Sequence, residues 1–141
     1  MDGYRDPVLT AEAFRGGWLH TGDVAVRDPD GFLRIVDRTK DMIVSGGFNI
    51  YPREIEDIMT EHPAISQVAV IGVPDAKWGE AVKAIVVLKP GMSASEAELT
   101  APVAARKGSY QAPKSVDFVA AIPQTPVGKP DKKALRVQYA Q

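Results

Sequence analysis

Residues 123–136, reading PQTPVGKPDKKALR, hold a lysine on a loop just ahead of the last helical stretch of the chain. Gly128 permits a tight backbone bend, and Pro126 and Pro130 stiffen its flanks. Lys129 is therefore presented at the end of a loop instead of lying flat on an element. A presented ammonium is a compact point charge with three donors, suited to follow negative charge as it moves between a carboxylate and a phosphate in a transition state. Read alone, the segment favours a solvated basic tail. Other segments reverse that balance.

The motif Gly17-Trp18-Leu19-His20-Thr21-Gly22-Asp23 ends in a carboxylate on a turn after a short apolar run. Such a carboxylate can accept two hydrogen bonds from vicinal hydroxyls, as acidic residues do for ribose; an ordinary turn in which Asp23 bonds its own backbone competes with that reading. Asp37-Arg38-Thr39-Lys40-Asp41 sets two cations and two anions beside Ser45-Gly46-Gly47. Arg38 could fork onto ribose or phosphate oxygens, and the glycines admit a ligand close to the backbone; a salt-bridged surface turn would use the same residues. His20 and His62 lack acidic partners at ligand spacing and predict no metal site, and Trp18 and Trp78 read as packing or interface residues.

These residues need a frame to position them. The 141 residues suffice for one compact domain, or for a small domain plus a piece of another. A net charge of -1 makes no bulk electrostatic case for nucleic acid or a membrane surface, so any anion site must be local. The absence of cysteine excludes disulfides, a thiol nucleophile and a cysteine zinc site, and suits a reducing cytoplasm. No apolar run is long enough to span a bilayer, and the chain reads as soluble.

Along the chain, residues 10–14 suggest a short helix with Thr10 as N-cap, and residues 18–26 and 32–36 a hairpin turning at Asp28-Pro29-Asp30-Gly31. Residues 37–41 interrupt the apolar pattern and are a candidate hinge. Pro52 opens an amphipathic helix with Ile55, Ile58 and Met59 on one face. Residues 65–73 and 81–88 read as two strands of one sheet, Ser93 and Ser95 with Glu96 and Glu98 offer overlapping capping boxes for a helix toward Arg106, and Pro102 sits awkwardly inside it. A third strand over 115–119 precedes the lysine loop, and a helix over 132–137 closes the chain. The expected class is α+β: a β-hairpin and a three-stranded sheet flanked by helices.

The ordered set Thr21-Gly22-Asp23, then residues 37–43 (DRTKDMI), then residues 45–56 (SGGFNIYPREIE), then Gly128-Lys129 closely resembles the C-terminal end of adenylate-forming enzymes. That superfamily holds acyl-CoA synthetases, the adenylation domains of nonribosomal peptide synthetases and beetle luciferases. Gly72-Val73-Pro74-Asp75 and Trp78-Gly79-Glu80 extend the likeness over nearly the whole chain. The resemblance implies residues 1–39 as the end of a large N-terminal AMP-binding domain and 40–141 as the C-terminal lid domain. It implies that Asp23 holds the ribose hydroxyls of ATP or AMP, that Arg38 contacts ribose or phosphate, and that Lys129 bridges the carboxylate and the α-phosphate during adenylation. Lys40 would be the hinge about which the domain rotates to exchange the Lys129 arm for the Ser45, Gly46 and Gly47 face, which would line the tunnel for the CoA pantetheine. One rigid site cannot be complementary both to a pentavalent phosphorus and to an incoming thiol. The family's phosphate loop, aromatic-Gly-x-Thr-Glu motif and acyl pocket are not in this sequence, so the chain is expected to be an inactive fragment whose partner is its own N-terminal domain, with Mg2+ arriving with ATP through that domain.

The sequence departs from the family pattern at a few positions. Lys132 stands where arginine is usual, Gln111 where lysine is common and Pro130 where a β-branched residue is usual, and Val44 lacks the lysine of luciferases. The wording SGGFNIYP is nearest to fatty-acyl ligases. The alternatives are an aryl-acid or amino-acid adenylation lid, or a stand-alone nucleotide-binding or interaction module.

Overall fold

The computed structural model describes residues 2–140, and the chain divides into two compact units between Lys40 and Asp41. The first unit contains helix α1 (Pro7–Ala13), a short 3-10 turn (Arg15–Gly17) and an antiparallel pair, β1 (Asp23–Arg27) and β2 (Leu33–Arg38). Asp6, not Thr10, caps α1: its Oδ1 accepts from Val8 N at 2.8 Å, because Pro7 takes the first helical position and fixes the cap one residue earlier. Thr10 lies inside the helix, where its hydroxyl donates to the carbonyls of Tyr4 and Asp6. The first strand starts at Asp23 and not at Trp18, since Gly16, Gly17 and Gly22 all have positive φ and break the extended run. Asp28 organises the connecting turn, accepting from Phe32 N through its side chain and from Gly31 N through its carbonyl. Val26, Phe32, Leu33 and Ile35 of this ribbon are exposed.

The second unit is α+β. Strands β3 (Ile43–Ser45) and β4 (Phe48–Ile50) form a hairpin across Gly46 and Gly47, at φ 57° and 82°. A two-residue turn with both φ positive matches strand twist and excludes most side chains. Pro52 opens α2 (Pro52–Thr60), which buries Ile55 and Met59. Strands β5 (Ile65–Asp75) and β6 (Gly79–Leu88) pair antiparallel along their whole length, and β7 (Ser115–Phe118) lies parallel to β6. The hairpin joins these three strands through Ser45 opposite Gly79, making five strands in the order β4-β3-β6-β5 with β7 on β6.

Both faces of the sheet are covered, which is why β5 and β6 read as nearly continuous Val and Ile runs. Val68, Val70, Val82, Ala84 and Val86 point to one side, against α2 and α3 (Glu96–Lys107). Ala69, Ile71 and Ile85 point to the other, where Ile122 of the loop after β7 and Leu135 of α4 (Lys132–Gln138) close over them. Of the two expected capping boxes, α3 uses the Ser95 one. Glu98 Oε2 accepts from Ser95 N at 2.7 Å while Ser95 Oγ accepts from Glu98 N. The helix runs on through Pro102, with Leu99 and Val103 buried on either side of it. Packing of that face offsets the missing donor.

Candidate functional site

Asp23 and Arg38 are cross-strand partners in the first unit. The pairing of β1 with β2 sets them opposite one another, and Arg38 Nε lies 3.4 Å from Asp23 Oδ1. Behind them Thr39 N donates to Gly22 O at 2.8 Å, and Thr21 Oγ1 accepts from Asp23 N. Most of the Arg38 side chain is exposed, so its remaining donors point to solvent. The two residues thus form one carboxylate and guanidinium pair with capacity on both sides for hydroxyl and phosphate oxygens. Lys40 is exposed in the 3-10 turn Thr39–Asp41.

Lys129 belongs to a hairpin outside the sheet. Gly128 N donates to Thr125 O at 2.9 Å, Thr125 N donates to Lys129 O at 2.7 Å, and Gln124 bridges Pro130. With Gly128 at φ 77° this is a tight turn followed by a left-handed residue, which closes a three-residue loop over Pro126, Val127 and Gly128. Thr125 was not singled out from sequence, yet its hydroxyl also accepts from Lys129 N, so its side chain and its backbone N–H together grip the N–H and carbonyl of the lysine. Asp131 N donates to Pro123 O at 2.7 Å and closes the base of the arm. The Lys129 side chain is exposed and makes no ion pair or hydrogen bond among the described residues.

Gly46 and Gly47 lie exposed at the turn of the β3 and β4 hairpin, whereas the residue before them packs inward. Ser45 is buried, Gly46 N donates to Trp78 O at 2.9 Å, and a Cβ on Gly46 would meet Trp78 Cε3 at 2.8 Å. Trp78, Phe48 and Tyr110 are each partly exposed around this turn, and the Phe48 and Tyr110 rings sit 4.8 Å apart. With Lys114 they line a cavity of about 50 Å³ beside Ser45 and Gly46. Trp78 is thus more than packing: its ring forms the wall that requires glycine at 46, and Lys77 Nζ lies 4.5 Å from its centroid. A second unforeseen contact fixes the hairpin from behind. Glu80 Oε2 accepts from Val44 N at 2.8 Å, and its carboxylate fits only because residue 72 is glycine, where a Cβ would come within 2.6 Å of Oε1. The motifs GVPD and WGE are therefore partners across β5 and β6.

The glycine turn is bonded to the start of β6, at Gly79, whereas the lysine arm follows β7, which ends beside Val86. Beyond the arm, α4 is held by Lys132, whose Nζ is 2.8 Å from Glu56 Oε1, and by Arg136, 2.8 Å from Asp41 Oδ1. The same Glu56 oxygen accepts from Val70 N. Lys132 is thus engaged in holding α4, which a single ammonium suffices to do. At the far end Lys83 Nζ pairs with Asp117 at 2.8 Å and lies 5.0 Å from the centre of the Tyr139 ring. Burial, with the Asp117 charge adding to it, raises the Tyr139 phenol above its usual value. His20 bonds Arg15 O and His62 accepts from Ala64 N, and no group of three or more acidic or histidine side chains among the described residues could hold a metal ion.

Known proteins share this sequence and this fold. Residues 54–129 match the model of the AMP-binding enzyme C-terminal domain. The medium/long-chain fatty-acid CoA ligase FadD8 of Mycobacterium tuberculosis is 56% identical over 140 residues, covering 94% of this chain and 24% of the relative. A long-chain fatty-acid CoA ligase of Bacillus subtilis is 49% identical over 130 residues, covering 92% and 23%. The amide bond synthetase McbA of Marinactinospora thermotolerans superposes with a TM-score of 0.89 at 45% identity, covering 99% of this chain and 29% of that one. The chain thus spans about a quarter of the length of the curated relatives it matches. A five-stranded sheet carrying a bare lysine on one loop and a glycine turn on another is, in sequence and in fold, a member of the AMP-binding enzyme C-terminal domain family.

Proposed function

We propose that this chain is the C-terminal part of an AMP-forming acyl-CoA ligase acting on a fatty acid, with residues 1–39 completing the N-terminal domain and 40–141 forming its lid. The ligase joins a carboxylate to ATP as an acyl-adenylate, releasing pyrophosphate, and then transfers the acyl group to the thiol of CoA, releasing AMP. The fatty-acid class is supported by the identities to ligases named for fatty acids. The single observation that carries the proposal is the exposed Lys129 ammonium, without an ion pair or hydrogen bond among the described residues, beside the tight Gly128 turn of a stiff hairpin in a chain of this family.

In this reading Lys129 lies between the attacking carboxylate and the α-phosphate and offsets the charge that builds on both. The Asp23 carboxylate accepts from the ribose hydroxyls, and Arg38, already held by Asp23, turns its free donors to ribose or phosphate. Lys40 is the pivot. Rotation about it withdraws the arm and presents Ser45, Gly46 and Gly47 to pantetheine, where bare backbone allows a slender chain to pass close. The aromatic rim of Trp78, Phe48 and Tyr110 offers apolar walls and ring faces for the rest of CoA. Mg2+ would accompany ATP into the N-terminal domain; this chain's described residues offer it no ligand cluster, and no step here depends on it.

The test separates the two half-reactions in the full-length protein. Lys129→Ala should slow acyl-adenylate formation, read by ATP and pyrophosphate exchange, by roughly a hundredfold, the equivalent of about 3 kcal/mol. Transfer from a preformed acyl-adenylate to CoA should stay near wild type. Equal losses in both steps would overturn the assignment.

A further inference from the structure

Helix α4 carries the lysine arm at its N-terminus, through the Asp131 cap that accepts from Ala134 N. With seven residues it is too short to hold its own shape and depends on what it docks against. Leu135 is buried in the second core, and Lys132 is tied to Glu56, which is itself bonded to the middle of β5. Both contacts fix α4 to the body of the domain. The third is different in kind. Arg136 Nη2 reaches Asp41 Oδ1 at 2.8 Å across 95 positions of sequence, and Asp41 is the residue covalently next to Lys40.

We infer that the Arg136 and Asp41 ion pair is a strut between the lysine arm and the pivot segment, and that Arg136 is a positioning residue for the adenylation step. The inference rests on the proposed roles of Lys129 and Lys40. A group swung about a pivot arrives at a reproducible point only if its distance from that pivot is fixed. Without the strut, α4 is tied to Asp41 only indirectly, through Lys132, Glu56 and Leu135 to the sheet and from there along β3, each junction adding play. With it, the path is one ion pair and one turn and a half of helix. Both side chains are partly shielded, at 32% and 17% exposure, so the pair has a defined geometry while contributing little to stability. Placement of a catalytic group is far less forgiving, since a displacement of about 1 Å can cost roughly a hundredfold in rate.

The experiment uses the full-length protein with Arg136→Ala, Asp41→Asn, the exchanged pair Asp41→Arg with Arg136→Asp, and Lys129→Ala as reference. Rates of ATP and pyrophosphate exchange, KM for ATP, acyl transfer from synthetic acyl-adenylate to CoA, and melting temperature are measured for each. Arg136→Ala is expected to lower kcat for exchange roughly tenfold, less than the Lys129 reference, with KM for ATP and the transfer rate close to wild type. Melting temperature should fall only slightly, and the exchanged pair should recover most of the lost exchange rate. A parallel loss in both half-reactions, no loss in exchange, or an exchanged pair no better than Arg136→Ala overturns the strut. If Lys129→Ala cripples exchange while Arg136→Ala does not, the strut alone fails. If Lys129→Ala leaves exchange intact, the underlying reading of the arm fails, and the strut with it.

Discussion

The lysine arm and the glycine turn solve opposite problems with the same kind of local structure. Each is a tight hairpin closed by glycine at positive φ. The arm stands off the sheet, and nothing surrounds the position a Cβ would take on Gly128. The turn at Gly46 is built into the sheet, with the Trp78 ring filling that space and Glu80 pinning the strand behind it. In the proposed function one loop delivers a side chain, and the other delivers backbone with no side chain at all. Replacing Lys129 should therefore leave the first loop folded and fail chemically, while replacing Gly46 in the second should fail through shape.

The largest expected effect is the hundredfold loss of adenylation in Lys129→Ala described above, which would leave the arm folded because its hydrogen bonds come from Thr125 and the backbone. Next comes the proposed pivot. Lys40→Pro, which fixes φ near −65° in the 3-10 turn Thr39–Asp41, should let acyl-adenylate accumulate in a single-turnover assay without consumption by CoA. Normal transfer by that variant would show that the two hairpins need not exchange places. Gly46→Ala should be smaller and more mixed: φ of 57° and a contact of 2.8 Å to Trp78 predict a loss of about 1–2 kcal/mol in stability, with transfer to CoA reduced more than adenylation. If Gly46→Ala transfers normally, bare backbone at that turn is not what CoA requires.

The smallest effect lies away from both loops. Ser95→Ala removes the α3 cap and should lower the melting temperature by about a few degrees at neutral pH while leaving the ratio of the half-reactions unchanged. Its pH dependence has a definite sign. The Ser95 N–H, and then its hydroxyl, hold the Glu98 carboxyl below the ordinary value, so that contribution is present above the usual carboxylate range and is lost as pH falls through the lowered value. Ser95→Ala keeps the backbone N–H, so the melting curves of wild type and variant should draw closer in acid only by the share that the Ser95 hydroxyl gives the Glu98 carboxylate.

Local sequence announced most of the second unit because each element there carries its own signal. Pro52 starts α2, Ser95 and Glu98 start α3, and the Val-rich runs of β5 and β6 are unambiguous. Gly128 and its flanking prolines foretold the lysine arm for the same reason. What stayed hidden was non-local. Trp78 walls the glycine turn from 32 positions away, Glu80 reaches Val44 across strands, and neither side chain signals a partner in one dimension. The first unit misled at both ends: Asp6 displaced Thr10 as cap, and the glycines at 16, 17 and 22 cost the first strand the apolar run that its composition suggested.

The ribbon of β1 and β2 carries a practical consequence for anyone handling this chain in isolation. Val26, Phe32, Leu33 and Ile35 leave oily side chains in water on a ribbon of two strands, whose outer edges pair with no further strand among the described residues. That is a template for self-association, and a concentrated preparation would lose material through these strands before the better-packed sheet unfolds. A preparation beginning at Asp41 leaves that ribbon out, and the boundary between the two units is thus also the place to cut.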